Sequence, residues 1–124
     1  MYERAGGHAF FEQLSIDFYE AVAADAVLRP LYPTDEEALA ASRVHLRDFL
    51  IQYWGGPSIY DETRGRPRLR MRHSGFAIGV AARDAWVTHM SAAVRRGGLR
   101  PLDEAQMLNY LSSAATHLIN GPEA

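Results

Sequence analysis

Cysteine is absent from the chain, so no disulfide framework and no thiolate metal site can hold it together, and it must rest on its core. That absence also suits a reducing compartment, and the expected location is cytoplasmic. No stretch approaches the roughly 18 apolar residues that a membrane span requires. The N-terminal run Met1-Tyr2-Glu3-Arg4-Ala5-Gly6-Gly7 has no apolar segment after its charges and does not read as a signal peptide. A large charge imbalance is missing too. The net charge is −2 and the pI near 6.2, so bulk electrostatics give no reason to expect nucleic acid as a partner. There is no internal repeat, low-complexity tract, linker, phosphate loop, zinc-ligand spacing, nucleophile elbow or paired-carboxylate motif.

What is present is enough for one core. With 124 residues, 48% of them hydrophobic and 10% aromatic, the chain reads as a single domain spanning 1–124. Four segments carry helical periodicity. The first runs from about His8 to Asp25, with Phe11, Leu14, Phe18 and Val22 on one face, Tyr19 beside them and Gly6-Gly7 as the boundary before it. Pro30 and Pro33 then make Leu31-Tyr32-Pro33 a tight corner. The second helix is expected from about Asp35 to Trp54, with Leu39, Ser42, Leu46, Phe49, Leu50 and Tyr53 as its stripe, and Gly55-Gly56-Pro57 stops it. The third is expected from about Ala77 to Arg96, carrying Ile78, Ala82, Ala85, Trp86, His89 and Ala93, with Gly97-Gly98 at its end. The fourth follows Pro101 to about Asn120, with Met107, Leu108, Leu111, Ala115 and Leu118 inward.

Between the second and third helices, Ser58 to Phe76 has little helical signal. Arg64, Arg66, Arg68, Arg70 and Arg72 alternate there with other residues. The alternation has a strand's period, but an isolated strand would have no partner in an otherwise helical chain. A long irregular segment inside a small domain is usually functional or disordered, and Leu69, Met71 and Phe76 suggest that this one packs against something. The histidines His8, His45, His73, His89 and His117 are scattered, with no spacing suited to a protein-only zinc site. A cofactor that brings most of its own ligands, such as haem, needs one histidine only.

The run Tyr53-Trp54-Gly55-Gly56-Pro57, followed by Pro67-Arg68-Leu69-Arg70-Met71-Arg72-His73, then Phe76 and Asp84-Ala85-Trp86, resembles the group II truncated haemoglobins. Phe18-Tyr19 and Leu31-Tyr32-Pro33 upstream extend the likeness over nearly the whole chain, apart from small differences before the second helix and around Gly97-Gly98. The resemblance implies an all-α truncated globin, a two-over-two helical sandwich around haem b, with the proximal helix reduced to a loop. It implies His73 as the proximal iron ligand. A lone histidine in an arginine-rich segment would otherwise read as a solvated surface residue, but a neutral imidazole is the usual axial donor in globins.

The same resemblance implies Tyr19, Tyr32 and Trp86 as hydrogen-bond donors on the distal side. By residue type alone, each reads equally as core packing of an aromatic. Ser42 falls where many globins carry a distal histidine. Leu46 is expected over the haem, and Phe49 and Leu50 at its edge. Arg72 and Arg70 are expected to pair with the propionates, with Met71, Phe76 and Tyr60 close to the haem. His45, His8 and His117 read as surface residues, and His89 as a satisfied core or interface histidine.

The implied function is reversible binding of O2, CO, NO or other diatomic ligands at a pentacoordinate iron. The competing reading is a redox enzyme, peroxidase-like or nitric-oxide-detoxifying, that would use the same haem and an external reductant. A haem-free helical interaction module is a third reading, which one absorption spectrum decides. Monomer and homodimer are both open.

Overall fold

Gly6, with φ +120°, separates two helices, α1 (Tyr2–Ala5) and α2 (Gly7–Ala24), in a computed structural model that describes residues 1–58 and 79–117. The left-handed backbone there suits a residue without Cβ. Helix α1 has no counterpart in the periodicity, because four residues are too few to show one and too few to be stable alone. Tertiary contacts hold it instead. Tyr2 stacks on Phe11 at 5.9 Å, its backbone N–H donates to the Trp54 carbonyl at 2.8 Å, and Arg4 pairs with Asp103 at 3.1 Å.

Helix α2 buries the face expected of it, with Phe11, Leu14, Phe18 and Val22 each 2% exposed or less. Asp25 ends it in extended backbone and at once starts the corner, its Oδ1 accepting the N–H groups of Val27 at 2.8 Å and Leu28 at 3.0 Å. A 3-10 turn, η1 (Arg29–Leu31), follows with Pro30 in its first positions, where a missing N–H costs nothing. The Arg29 guanidinium donates to the carbonyls of Tyr32, Pro33 and Thr34, and Leu28 plugs the corner into the core.

Helix α3 (Glu36–Tyr53) is capped by Asp35, whose side chain accepts the Ala38 N–H at 2.9 Å. A cap of this kind contributes about 0.5–2 kcal/mol, and Glu36 and Glu37 in the first turn favour the positive end of the helix dipole. Gly55, at φ +96°, turns the chain away after Trp54. Helix α4 (Val80–Arg95) and helix α5 (Pro101–His117) complete the described fold. Helix α2 packs on α3, α4 packs on α5, and α2 crosses onto α4. The described residues contain no strand.

The inward faces differ from the periodicity in two places. In α4 the deepest side chains are Met90 and Val94, both 0% exposed, with Ala82 and Ala93 beside them, whereas Ala85, Trp86 and His89 are half-buried. This helix lies between α2 and α5, so it buries more than one stripe. In α3, Ile51 is fully buried and Tyr53, expected inward, is 49% exposed; its ring stacks on Tyr110 at 3.9 Å. Ile78 and Leu118 lie outside the described residues.

Candidate functional site

Phe18 is fully buried on α2 and organises the site by its edges. Its ring meets Tyr19 at 5.5 Å and 79°, and Trp86 of α4 at 5.6 Å and 66°. Tyr19 in turn meets Tyr32 of the corner edge-to-face at 5.5 Å and 81°. Such arrangements bring the positive edge of one ring to the negative face of another. Thus α2, the corner and α4 each contribute one polar aromatic to a single cluster, and the three donors named from the sequence come together.

The polar tips are ordered among themselves. The Trp86 indole lies close enough to the Tyr32 phenol to favour its ionised form, as an N–H donor would. Burial pushes the Tyr32 phenol up to about 12 in spite of that effect. Burial also pushes the Tyr19 phenol up, with Tyr32 adding to the effect and Arg43 opposing it. Both hydroxyls therefore keep their protons at neutral pH. An indole has no acceptor, so the Tyr32 O–H remains able to donate elsewhere.

Behind Tyr19 lies a polar cluster between α2 and α3 that the sequence reading did not single out. Arg43 donates to Glu12 Oε1 at 2.7 Å and to Ser15 Oγ at 2.9 Å. Arg47 joins Glu12 at 3.1 Å and Asp48 at 2.9 Å. The hydrogen bond from Arg43, aided by Arg47, holds the Glu12 carboxyl below its ordinary value against the cost of burial. Ser15 is fully buried and itself donates to the Glu12 carbonyl at 2.8 Å. Glu12, Ser15 and Tyr19 follow one another at spacings that share a helix face, which is the signal that would have found the cluster.

On α3, Ser42 is half-buried, and Leu46 and Phe49 are half-buried against the core. Leu50 is 2% exposed and belongs to the core itself. His89 is half-buried with Nε2 2.6 Å from Asp25 Oδ2. His8 is exposed, and His45 is half-buried rather than on the surface. Among the described residues no cluster of histidines and carboxylates could hold a metal ion by itself, and no helix is long and apolar enough to cross a membrane. Tyr60, Arg70, Met71, Arg72, His73 and Phe76 lie outside the described residues, as does the side chain of His117.

Comparison with known proteins finds matches over nearly the whole chain. The family model described as bacterial-like globin matches residues 1–120. The chain is 36% identical to the group 2 truncated haemoglobin YjbI of Bacillus subtilis (strain 168), over 95% of this chain and 87% of that protein. Among solved structures it is similar to a thermostable haemoglobin of the actinobacterium Thermobifida fusca, with 52% identity, a TM-score of 0.92 and 98% of each chain covered. It is also similar to a truncated oxygen-avid haemoglobin of Bacillus subtilis, with 37% identity, a TM-score of 0.87, and 96% of this chain and 98% of that one covered.

Proposed function

The chain belongs to the bacterial-like globin family, as a truncated haemoglobin of group II with the two-over-two fold, and from that premise we propose that it binds O2 and other diatomic ligands reversibly. Membership brings a haem iron and small gaseous ligands. The finer reading is a b-type haem that His73 would hold through its imidazole and with whose propionates Arg72 and Arg70 would pair. Haem, when bound, supplies the iron at which a diatomic ligand is held.

The described residues fit such a group on its distal side. A haem needs an apolar wall with few convergent donors. Leu46, Phe49, Tyr19, Tyr32 and Trp86 are half-buried side chains packed on the core, with two protonated phenols and one indole among them. The single observation that carries the reading is the convergence of Tyr19, Tyr32 and Trp86, from three elements, on one edge-to-face cluster around Phe18. The indole favours the Tyr32 oxygen as an N–H donor would and, having no acceptor, leaves the Tyr32 O–H free. Tyr32 and Tyr19 then offer O–H donors to the partly negative end of a ligand in the pocket. Each such bond contributes about 0.5–1.5 kcal/mol net, or up to about tenfold in affinity. Ser42, small and half-buried, brings no imidazole at its own position on α3.

The same magnitudes weigh binding against peroxide chemistry. Cleavage of an O–O bond calls for an acid whose pKa lies near the working pH, and the Tyr32 phenol, at about 12, is a hydrogen-bond donor rather than a proton donor. The oxygen-avid relative in Bacillus subtilis fits a retention role. An absorption spectrum of the purified protein tests the reading: a Soret band that shifts with CO is expected, and His73→Ala is expected to weaken or lose it. A protein without Soret absorption would overturn it. Sustained peroxide turnover or NO consumption with an external reductant would instead move the protein to the redox class.

A further inference from the structure

Two polar ties join the corner between α2 and α3 to helix α4. One is the approach of the Trp86 indole to the Tyr32 phenol, whose ionised form it favours. The other lies one turn further along α4, where His89 Nε2 is 2.6 Å from Asp25 Oδ2. Residues three apart share a helix face, so both ties leave α4 on the same side. A carboxylate can only accept, so the imidazole nitrogen donates.

Asp25 is wired to Tyr32 along the corner. Its other oxygen accepts the N–H groups of Val27 and Leu28, and its carbonyl accepts the Arg29 N–H at 2.9 Å. Arg29 O accepts the Tyr32 N–H at 3.2 Å, and the Arg29 guanidinium grips the Pro33 carbonyl at 2.7 Å. A shift of Asp25 against α4 therefore carries the turn, and Tyr32 with it. The pair is well covered, with side chains 28% and 18% exposed, unlike the open surface pairs that contribute almost nothing. The Asp25 carboxyl is held below its ordinary value by the His89 bond first and the Leu28 N–H next.

The indole has one N–H. If that N–H serves a ligand in the pocket it is withdrawn from Tyr32, just when the Tyr32 hydroxyl has to stay in place. We propose that Asp25 and His89 form a latch that keeps the corner seated on α4, so that Tyr32 holds its position whichever acceptor Trp86 serves. They are positioning residues, acting through Tyr32 and Trp86. The proposal rests on the ligand-binding reading for its purpose, but not for its geometry.

The test uses the haem-loaded protein with CO as the probe. His89→Leu removes the tie, and His89→Gln keeps an N–H donor at similar reach. In His89→Leu, the amides of Leu28, Arg29, Leu31 and Tyr32 are expected to exchange hydrogen about tenfold or more faster, as loss of a bond to a charged group implies, while those of α2 and α3 keep their rates. The C–O stretching band is expected to broaden or split, and CO to dissociate several-fold faster. His89→Gln is expected to restore all three toward wild type. Unchanged exchange and an unchanged band in His89→Leu would overturn the latch. So would a uniform acceleration through every helix, or a Gln variant that behaves as Leu does. Should His89→Leu not fold, Asp25→Asn, which keeps an oxygen for the turn, gives the same pattern more weakly, and wild-type exchange there counts against the proposal. A wild-type protein without a Soret band would defeat the ligand-binding reading alone, because the exchange rates decide the latch with or without haem.

Discussion

Tyr32 concentrates several demands on one oxygen. It faces the Trp86 indole, lies at the end of a turn wired to Asp25, and is expected to donate into the pocket. Its protonation is therefore the first thing to establish. Burial raises the phenol from the ordinary 10.0 to about 12, so the folded protein favours the neutral form. The associated stability is complete below pH 10 and is lost as pH climbs from there toward 12. The absorbance difference between wild type and Tyr32→Phe during alkaline titration should place the missing ionisation near 12. A missing step near 10 would mean that the ring is solvated. Tyr19 is pushed in the same direction by the same cause, so the two donors should survive any pH at which the protein works.

At the scale of elements, the ends of helices are where side chains fix the geometry. Asp103, in the first turn of α5, binds Arg4 of α1 and is flanked by Arg100. The hydrogen bond from Arg4 holds its carboxyl below the ordinary 3.8. A depressed carboxylate contributes stability that is present above its unfolded value and lost as pH falls through the folded one. Asp103→Asn should therefore lower the melting temperature at neutral pH and flatten its fall below pH 4, as read by thermal melts between pH 2 and 7. A parallel loss at every pH would assign the effect to packing instead.

The elements also mark how far the sequence could be read. The α2 face of Phe11, Leu14, Phe18 and Val22 is legible because one stripe at helical period meets one core. Met90, Val94 and Ile51 are not, because a helix wedged between neighbours buries residues that local periodicity assigns to its flank. Helix α1 is too short to show a period. The His89–Asp25 contact joins residues 64 apart and has no local signature, although His89 reads as a satisfied histidine. The clustering of Tyr19, Tyr32 and Trp86 was implied only by the resemblance to a family, since each aromatic alone reads equally as core. Six of the site residues named from the sequence, His73 among them, lie outside the described part of the fold and stand on that resemblance.

For the whole molecule, the account makes haem a part of the core. Leu46, Phe49, Tyr19, Tyr32 and Trp86 are only half-buried by the protein itself. Covering the exposed half of each of the five stabilises by about 0.75–1.5 kcal/mol apiece, half the value for full burial. Removal of haem should thus lower the melting temperature by at least about 10 °C, measured by calorimetry on matched samples. An unchanged transition would mean that the pocket closes without it. The central claim is narrower: a donor set led by Trp86 and Tyr32 retains the ligand. Stopped-flow measurement of O2 dissociation in wild type and Trp86→Phe tests it most directly. Slow dissociation is expected in the wild type, with an increase of several-fold, up to about tenfold, in the variant. Equal rates in the two proteins would contradict it.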